Sequence, residues 1–346
     1  MRDGDLATRL LAWYDVHARD LPWRVPPGNR VRPDPYRVWL SEVMLQQTTV
    51  AAVRGYYARF TEVWPDVHAL AEADDAAVMG AWAGLGYYAR ARNLLRCARV
   101  VSCDLGGQFP DTEDGLRALP GVGAYTAAAV AAIAFDRRAV VVDGNVERVM
   151  ARLRAVDTPL PGARPLLREA AAALTPDRRP GDYAQAVMDL GATICTPRSP
   201  SCLLCPWSGD CEGRARGIAA ALPAKAPKRA KPHRRGHVFA ARRGGDWLIE
   251  TRPGSGLLGG MPGFPTSDWA ETEAEPDPPL AADWRDRGEV SHGFTHFNLS
   301  LTVWAAEAPP GANPRRGAFA ALDPDTLPTL FRRVYDRATG GSEETP

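Results

Sequence analysis

Lysine is nearly missing from this chain. Of its 42 basic residues only Lys225, Lys228 and Lys231 are lysines, and residues 1–224 contain none. Amine chemistry from a lysine is thereby excluded over the first two thirds of the sequence. No stretch reaches the roughly 18 consecutive apolar residues of a membrane span. The opening MRDGDLATRL also lacks the apolar core of a secretion signal. The expectation is a cytoplasmic protein with no membrane attachment. There is no excess of charge of either sign, since the formal net charge is +1. With 45% hydrophobic and 24% charged residues, the composition excludes a mostly disordered chain. The 346 residues suffice for two or three domains. Acids are missing locally: residues 213–243 carry ten Lys/Arg and no Asp/Glu, and 76–103 carry four Arg and no acid. Such runs suit either a polyanion or a solvated linker.

Cysteine is sparse and unevenly placed. Four of the six fall together, Cys195, Cys202, Cys205 and Cys211, with the spacing C-x6-C-x2-C-x5-C. Without a secretion signal this reads as a metal site rather than a disulfide framework. Cys97 and Cys103 are expected to be buried thiols.

From residue 6 to about 190, apolar residues recur at helical spacing in LATRLLAWYDVHA, DPYRVWLSEVMLQQTTVAAVRGYYARF, DDAAVMGAWAGL and TAAAVAAIAF. Short Gly/Pro breaks separate them. ALPAKAPKRAKPHRRG has the composition of a linker. Beyond it, HVFAARR, DWLIETR and HFNLSLTVWAAE read as short strands. The expected boundaries are a helical domain over 1–220 that includes the cysteine loop 195–211, a linker over 221–236, a smaller α+β domain over 237–338, and a disordered tail over 339–346.

Three segments carry chemistry. LRALPGVGAYTAAAVAAIAF is helix, PGVG turn, then a helix of small residues. Gly121 and Gly123 permit positive φ and close approach of another molecule, and the amides that follow can hold a phosphate. The segment fits either a DNA-gripping hairpin or a plain glycine-capped turn. Glu42 shares a helix face with Val38 and Leu45, so its carboxyl loses solvation and favours the protonated form. It is either a general acid or a solvated edge residue. Asp143 ends the apolar run 139–142 where a helix begins, and a helix N-terminus stabilises the carboxylate. It is either an N-cap alone or one of two contrasting carboxyls, the combination that glycosidic bond cleavage requires.

The ordered blocks ARDLPWR, PYRVWLSEVMLQQTTV, WAGLGYYARARNL, LPGVGAYTA, VDGNVERVMAR, YAQAVMDLGATICT and the cysteine quartet resemble those of adenine DNA glycosylases of the MutY family, within the helix-hairpin-helix superfamily. GLLGGMPGFP and HGFTHFNL extend the likeness into the second domain. The resemblance implies an all-α helix-hairpin-helix glycosylase domain with a [4Fe-4S] cluster loop, followed by a smaller α+β Nudix-like domain. Cys195, Cys202, Cys205 and Cys211 match the cluster ligands; a zinc ribbon would show two C-x2-C pairs where this chain has one. Glu42 matches the family's general acid and Asp143 its carboxylate stabiliser, with Tyr125 and Asn145 in support. Trp23, Arg24, Gln185 and Arg19 match the pocket for the flipped adenine. Gln47, Thr48, Tyr87, Gly121 and Gly123 match positions that face DNA. The implied substrate is double-stranded DNA with adenine opposite 8-oxoguanine or guanine, acted on by a monomer at the bacterial nucleoid.

In the second domain Phe294, Thr295 and His296 match the loop that recognises 8-oxoguanine, with Thr295 in place of the family's serine. Pro262 and Gly263 follow Met261 where the family has Trp-Glu. The G-x5-E-x7-R-E-x-x-E-E run of pyrophosphate-hydrolysing Nudix enzymes does not occur. Tyr125 stands where the related endonuclease III has a lysine, so a glycosylase without strong lyase action is expected. Borohydride added during turnover should therefore trap almost no enzyme–DNA adduct, and a good yield of adduct would contradict this reading.

Overall fold

A computed structural model describes residues 3–29, 31–227, 230–253, 256–272 and 275–340. The chain divides into two compact units, Met1–Pro227 and Lys228–Pro346. No helix among the described residues is long and apolar enough to cross a membrane.

Unit 1 is helical throughout. Its first half contains α1 (Asp3–His17), α2 (Pro35–Leu45), α3 (Val50–Val63), α4 (Val67–Glu72), α5 (Asp75–Trp82) and α6 (Ala89–Arg99). Its second half contains α7 (Glu113–Arg117), α8 (Ala124–Phe135), α9 (Gly144–Leu153), α10 (Arg164–Leu174), α11 (Pro180–Thr193) and the single turn α12 (Glu212–Ala215). Starts are written locally. Asp34 caps α2 by accepting from Tyr36 N–H, with Pro35 in the first turn, and Thr49, Asp66, Asp74 and Thr112 cap α3, α4, α5 and α7. α8 is almost wholly buried, its alanines allowing close packing against α2, α7 and α11. Gly181 is what lets α11 approach: a Cβ there would lie 2.4 Å from Ala132 O of α8.

The cysteine loop is fastened to the helices at several points. Trp207, 1% exposed, donates its indole N–H to Leu6 O at 2.9 Å, and Arg9 of α1 pairs with Asp210. Arg152 of α9, also buried, reaches Cys195 O, Thr196 O, Pro197 O and Leu222 O.

Unit 2 is a six-stranded sheet with one helix. Its strands are β1 (His233–Arg243), β2 (Asp246–Thr251), β3 (Pro262–Gly263), β4 (Arg285–Gly293), β5 (Asn298–Glu307) and β6 (Ala318–Ala320), in the order β3-β2-β1-β5-β4 with β6 beside β2. β1 and β5 run parallel, Val238 opposite Val303, and the other pairs are antiparallel. Residues 236–241 of β1 are buried without alternation, as expected of a central strand covered on both faces. α13 (Thr329–Thr339) packs Leu330, Phe331 and Val334 with Val238 and Ala240, while Ala241 and Leu248 pack on Leu280 and Ala308.

Two expectations differ from the structure, the extent of the linker and the burial of Cys103, and a third, the tail, falls mostly outside the described residues. The linker over 221–236 is taken up at both ends: Leu222 is buried in unit 1, Lys225 bridges to Leu160, and β1 begins at His233 rather than 237. The alternation of basic and apolar residues hides this, because a strand edge tolerates both. Cys97 is buried, but Cys103 is exposed on the π-helical turn that ends α6. The tail over 339–346 lies outside the described residues from 341 onward, and Thr339 still belongs to α13.

Two glycine substitutions separate packing from propensity. Gly181→Ala should lower stability by about 1–3 kcal/mol through overpacking. Gly55→Ala, mid-helix with nothing within 4 Å of its would-be Cβ, should raise stability by about 0.5–1 kcal/mol. Thermal denaturation of the two variants checks both signs.

Candidate active site

Glu42 sits one turn from the end of α2 and is 6% exposed. Its carboxyl is held from the hairpin: Tyr125 Oη donates to Glu42 Oε2 at 2.7 Å. The same hydroxyl lies 3.9 Å from Met188 Sδ of α11. Burial pushes the Glu42 carboxyl up to about 7, with nearby Asp143 adding to the rise, while Tyr125 and Arg24 oppose it. Burial and the neighbouring carboxylates hold the Tyr125 phenol well above its usual value, so it stays a donor.

Asp143 caps α9. Its Oδ1 accepts from Val146 N–H at 2.7 Å and its Oδ2 from Asn145 Nδ2 at 2.8 Å. Asn145 is held in turn by Arg148, which also reaches Gly191 O and Cys195 O. Gly191 permits this contact, since a Cβ there would fall 2.7 Å from Asn145 Cβ. A chain of hydrogen bonds thus runs from the cap carboxylate to the backbone of the cysteine loop.

Both carboxyls border one cleft of about 820 Å3. Its walls also include Arg19, Trp23, Arg24, Gln47, Thr48, Gly121, Gly123, Tyr125, Asn145 and Gln185. Twelve sequence-selected residues, drawn from segments up to 166 positions apart, therefore meet at a single cavity. Tyr87 is not among its described walls and stands 55% exposed on the next loop. In unit 2, Phe294 stacks on Trp269 and packs on Phe297, whereas Thr295 and His296 are exposed.

The surroundings of the pocket residues are specific. Trp23 is 8% exposed and meets Tyr57 edge-on. Arg24 and Arg19 both bind Asp189, at 2.7 and 2.6 Å, and that carboxylate is fully buried. Gln185 Nε2 donates to Gly181 O within its own helix. The two hairpin glycines differ. Gly121 has φ +74° and a Cβ there would strike Asn93, whereas Gly123 has nothing within 4 Å, so its smallness serves whatever approaches from outside. Asp189 escaped the sequence reading, although an acid inside the apolar stretch AVMDLGA is a recognisable signal. Gln46, which donates to Thr126 Oγ1 at 3.1 Å, and Arg148 left no such signal.

The four cysteines of the loop border a second cavity beside Arg152 and Ile194. Among the described residues no group of three or more His, Cys, Asp or Glu side chains is arranged to hold a single metal ion. Four sulfurs spread around a cavity fit a polynuclear cluster better than one tetrahedral zinc.

Known proteins share these features. Residues 40–172 match the HhH-GPD superfamily of base excision DNA repair proteins, 195–211 the iron-sulfur binding domain of endonuclease III, and 237–337 the NUDIX domain. The adenine DNA glycosylase of Mus musculus is 38% identical over 88% of this chain and 72% of its own length. That of Mycolicibacterium smegmatis is 41% identical over 64% of this chain and 73% of its own. The chain belongs to the adenine DNA glycosylase family. It is accordingly a DNA N-glycosylase of the helix-hairpin-helix superfamily, with a Nudix-like second unit. A solved thermostable thymine-DNA glycosylase is 31% identical, with a TM-score of 0.55 over 62% of this chain and 97% of that one. A non-covalent endonuclease III–DNA complex, 22% identical with a TM-score of 0.51 over 63% of this chain and 99% of that one, shares the fold of unit 1. The cofactor is a [4Fe-4S] cluster, and the matched iron-sulfur segment 195–211 contains Cys195, Cys202, Cys205 and Cys211. Those four thiolates would hold the cluster, which would supply a cross-link within the loop.

Proposed function

We propose that this glycosylase removes adenine mispaired with 8-oxoguanine or guanine, with Glu42 as general acid. The observation that carries the proposal is a buried, Tyr125-held carboxyl facing the same cleft as a helix-capping carboxylate. Burial favours the protonated form of Glu42, while Asp143 accepts two hydrogen bonds at a helix N-terminus, and glycosidic cleavage needs two carboxyls in unlike settings.

The adenine leaves the stack and enters the cleft, lined by Trp23, Arg24, Gln185 and Arg19. Tyr125 occupies Oε2 of Glu42, so the acid proton sits on Oε1 and passes to N7 of the base. The N-glycosidic bond breaks with its electron pair going to adenine. Asp143, oriented by Asn145, meets the positive charge on the sugar or bonds to it transiently, and water then completes an abasic site. Gln47 and Tyr87 fill the stack, Thr48 faces the DNA, and the hairpin at Gly121 and Gly123 holds the backbone phosphates. Phe294, Thr295 and His296 of unit 2 read the opposite 8-oxoguanine, with Phe294 buttressed by Trp269 so that Thr295 and His296 project. The enzyme acts as a monomer on chromosomal DNA in the bacterial cytoplasm.

Single-turnover incubation tests this with duplexes carrying A opposite 8-oxoguanine, A opposite G, T opposite G and A opposite T. The first two alone should break, and only after alkali; breakage of T opposite G, or binding without breakage anywhere, would overturn the assignment. Glu42→Gln should bind the mispair while losing about 10²–10⁴-fold in rate. Because the acid must be protonated, the rate should be full below about pH 7 and fall as pH rises above it.

A further inference from the structure

Arg90, in the first turn of α6, is spent on backbone rather than on any acid. Its Nη1 donates to Val43 O, Met44 O and Gln46 O at 3.0, 3.1 and 2.5 Å. Its Nη2 donates to Thr48 Oγ1, Leu85 O and Gly86 O at 3.2, 3.1 and 3.4 Å. The guanidinium also lies 5.4 Å from the Trp82 ring and 5.5 Å from the Tyr87 ring. Val43 O and Met44 O are orphan carbonyls at the C-terminus of α2, where a cation is favoured. Among the described residues no carboxylate bonds to it, and its Nε–H finds no partner.

Four of the six acceptors belong to two loops, and the other two, Val43 O and Met44 O, to the last turn of α2 that feeds the first loop. Residues 46–49 join α2 to α3, and residues 83–88 join α5 to α6. Each loop carries one non-glycine residue in left-handed backbone, Gln47 at φ +57° and Tyr87 at φ +51°. Both side chains are exposed. Left-handed backbone in such residues is strained and persists only when its surroundings enforce it. The same face of α6 supports the hairpin, because Asn93, one turn on, packs against Gly121.

We propose that Arg90 is a positioning residue that clamps these two loops into one rigid wedge, so that Gln47 and Tyr87 enter the base stack together when the target base is extruded. This rests on the reading of Gln47 and Tyr87 as stack-filling residues. A planar fork with donors on both ends can hold two loops at a fixed separation, which the single point charge of lysine cannot do. Extrusion requires both strands to be held open at once, so loops that move independently would open the duplex poorly even with every catalytic group in place.

The test separates extrusion from chemistry. 2-Aminopurine replaces the target adenine opposite 8-oxoguanine, and its fluorescence is read at saturating enzyme in a Glu42→Gln background. Arg90→Met should lose most of the fluorescence rise, and in the Glu42 enzyme it should slow single-turnover excision by about 30-fold, the scale set by losing several charge-assisted hydrogen bonds. The pH at which excision falls off should not move, because Glu42 and Tyr125 are untouched. Arg90→Lys, which keeps the charge and the fold, should recover less than half of the fluorescence rise. Full extrusion in both variants would overturn the clamp, as would a slowed rate accompanied by a shifted pH profile, which would place the effect on α2 and Glu42. Tyr87→Ala and Gln47→Ala serve as controls. If they extrude normally, the stack-filling reading fails, whereas loss in them with full extrusion in Arg90→Met sinks the clamp alone.

Discussion

On the proposed mechanism, the chemistry depends on keeping one carboxyl out of water. Glu42 is placed on a helix whose other residues form the core, and a charged carboxylate there is costly. Two arrangements keep the group usable. Tyr125 supplies one hydrogen bond, enough to orient the carboxyl and too little to restore its solution behaviour. Arg24, whose charge acts to lower the Glu42 carboxyl, is paired with Asp189, and that negative partner offsets part of its pull. Without that pairing, the guanidinium would favour the carboxylate form of Glu42 more strongly, against its proposed role as an acid.

The rest of unit 1 serves to bring Tyr125 and Asp143 to Glu42. Small residues do this work: the alanines of α8 allow three helices to converge, Gly181 admits α11, and Gly191 admits the start of α9. The cysteine loop lies at the far end of the same chain of contacts, since Arg148 joins Asn145 to Cys195 O. A cluster held by the four cysteines of that loop would therefore also steady the helix that carries Asp143.

Much of this was legible in the sequence, for identifiable reasons. Helical periodicity, Gly/Pro breaks and the strand-like texture after residue 237 reflect local backbone preferences, which a sequence displays directly. The environment of Glu42 followed from its neighbours at 38 and 45, and the capping position of Asp143 from the run before it. What stayed hidden is contact across distance. Nothing local marks Arg19 and Arg24 as partners of a carboxylate 170 and 165 residues away. The six acceptors of Arg90 are backbone and hydroxyl oxygens, which any sequence offers everywhere. The 221–236 stretch misled for a related reason: a Pro/Ala/basic composition describes solvation, whereas Leu222 and the pairing of β1 with β5 are decided by tertiary partners.

The most direct test is the ionisation of Glu42 itself, followed by carboxyl infrared bands in the free enzyme and assigned by comparison with Glu42→Gln. The account predicts a midpoint near 7, moving higher in Tyr125→Phe, where the hydrogen bond that favours the carboxylate is removed. A midpoint near the ordinary glutamate value, or one that ignores Tyr125, would contradict it.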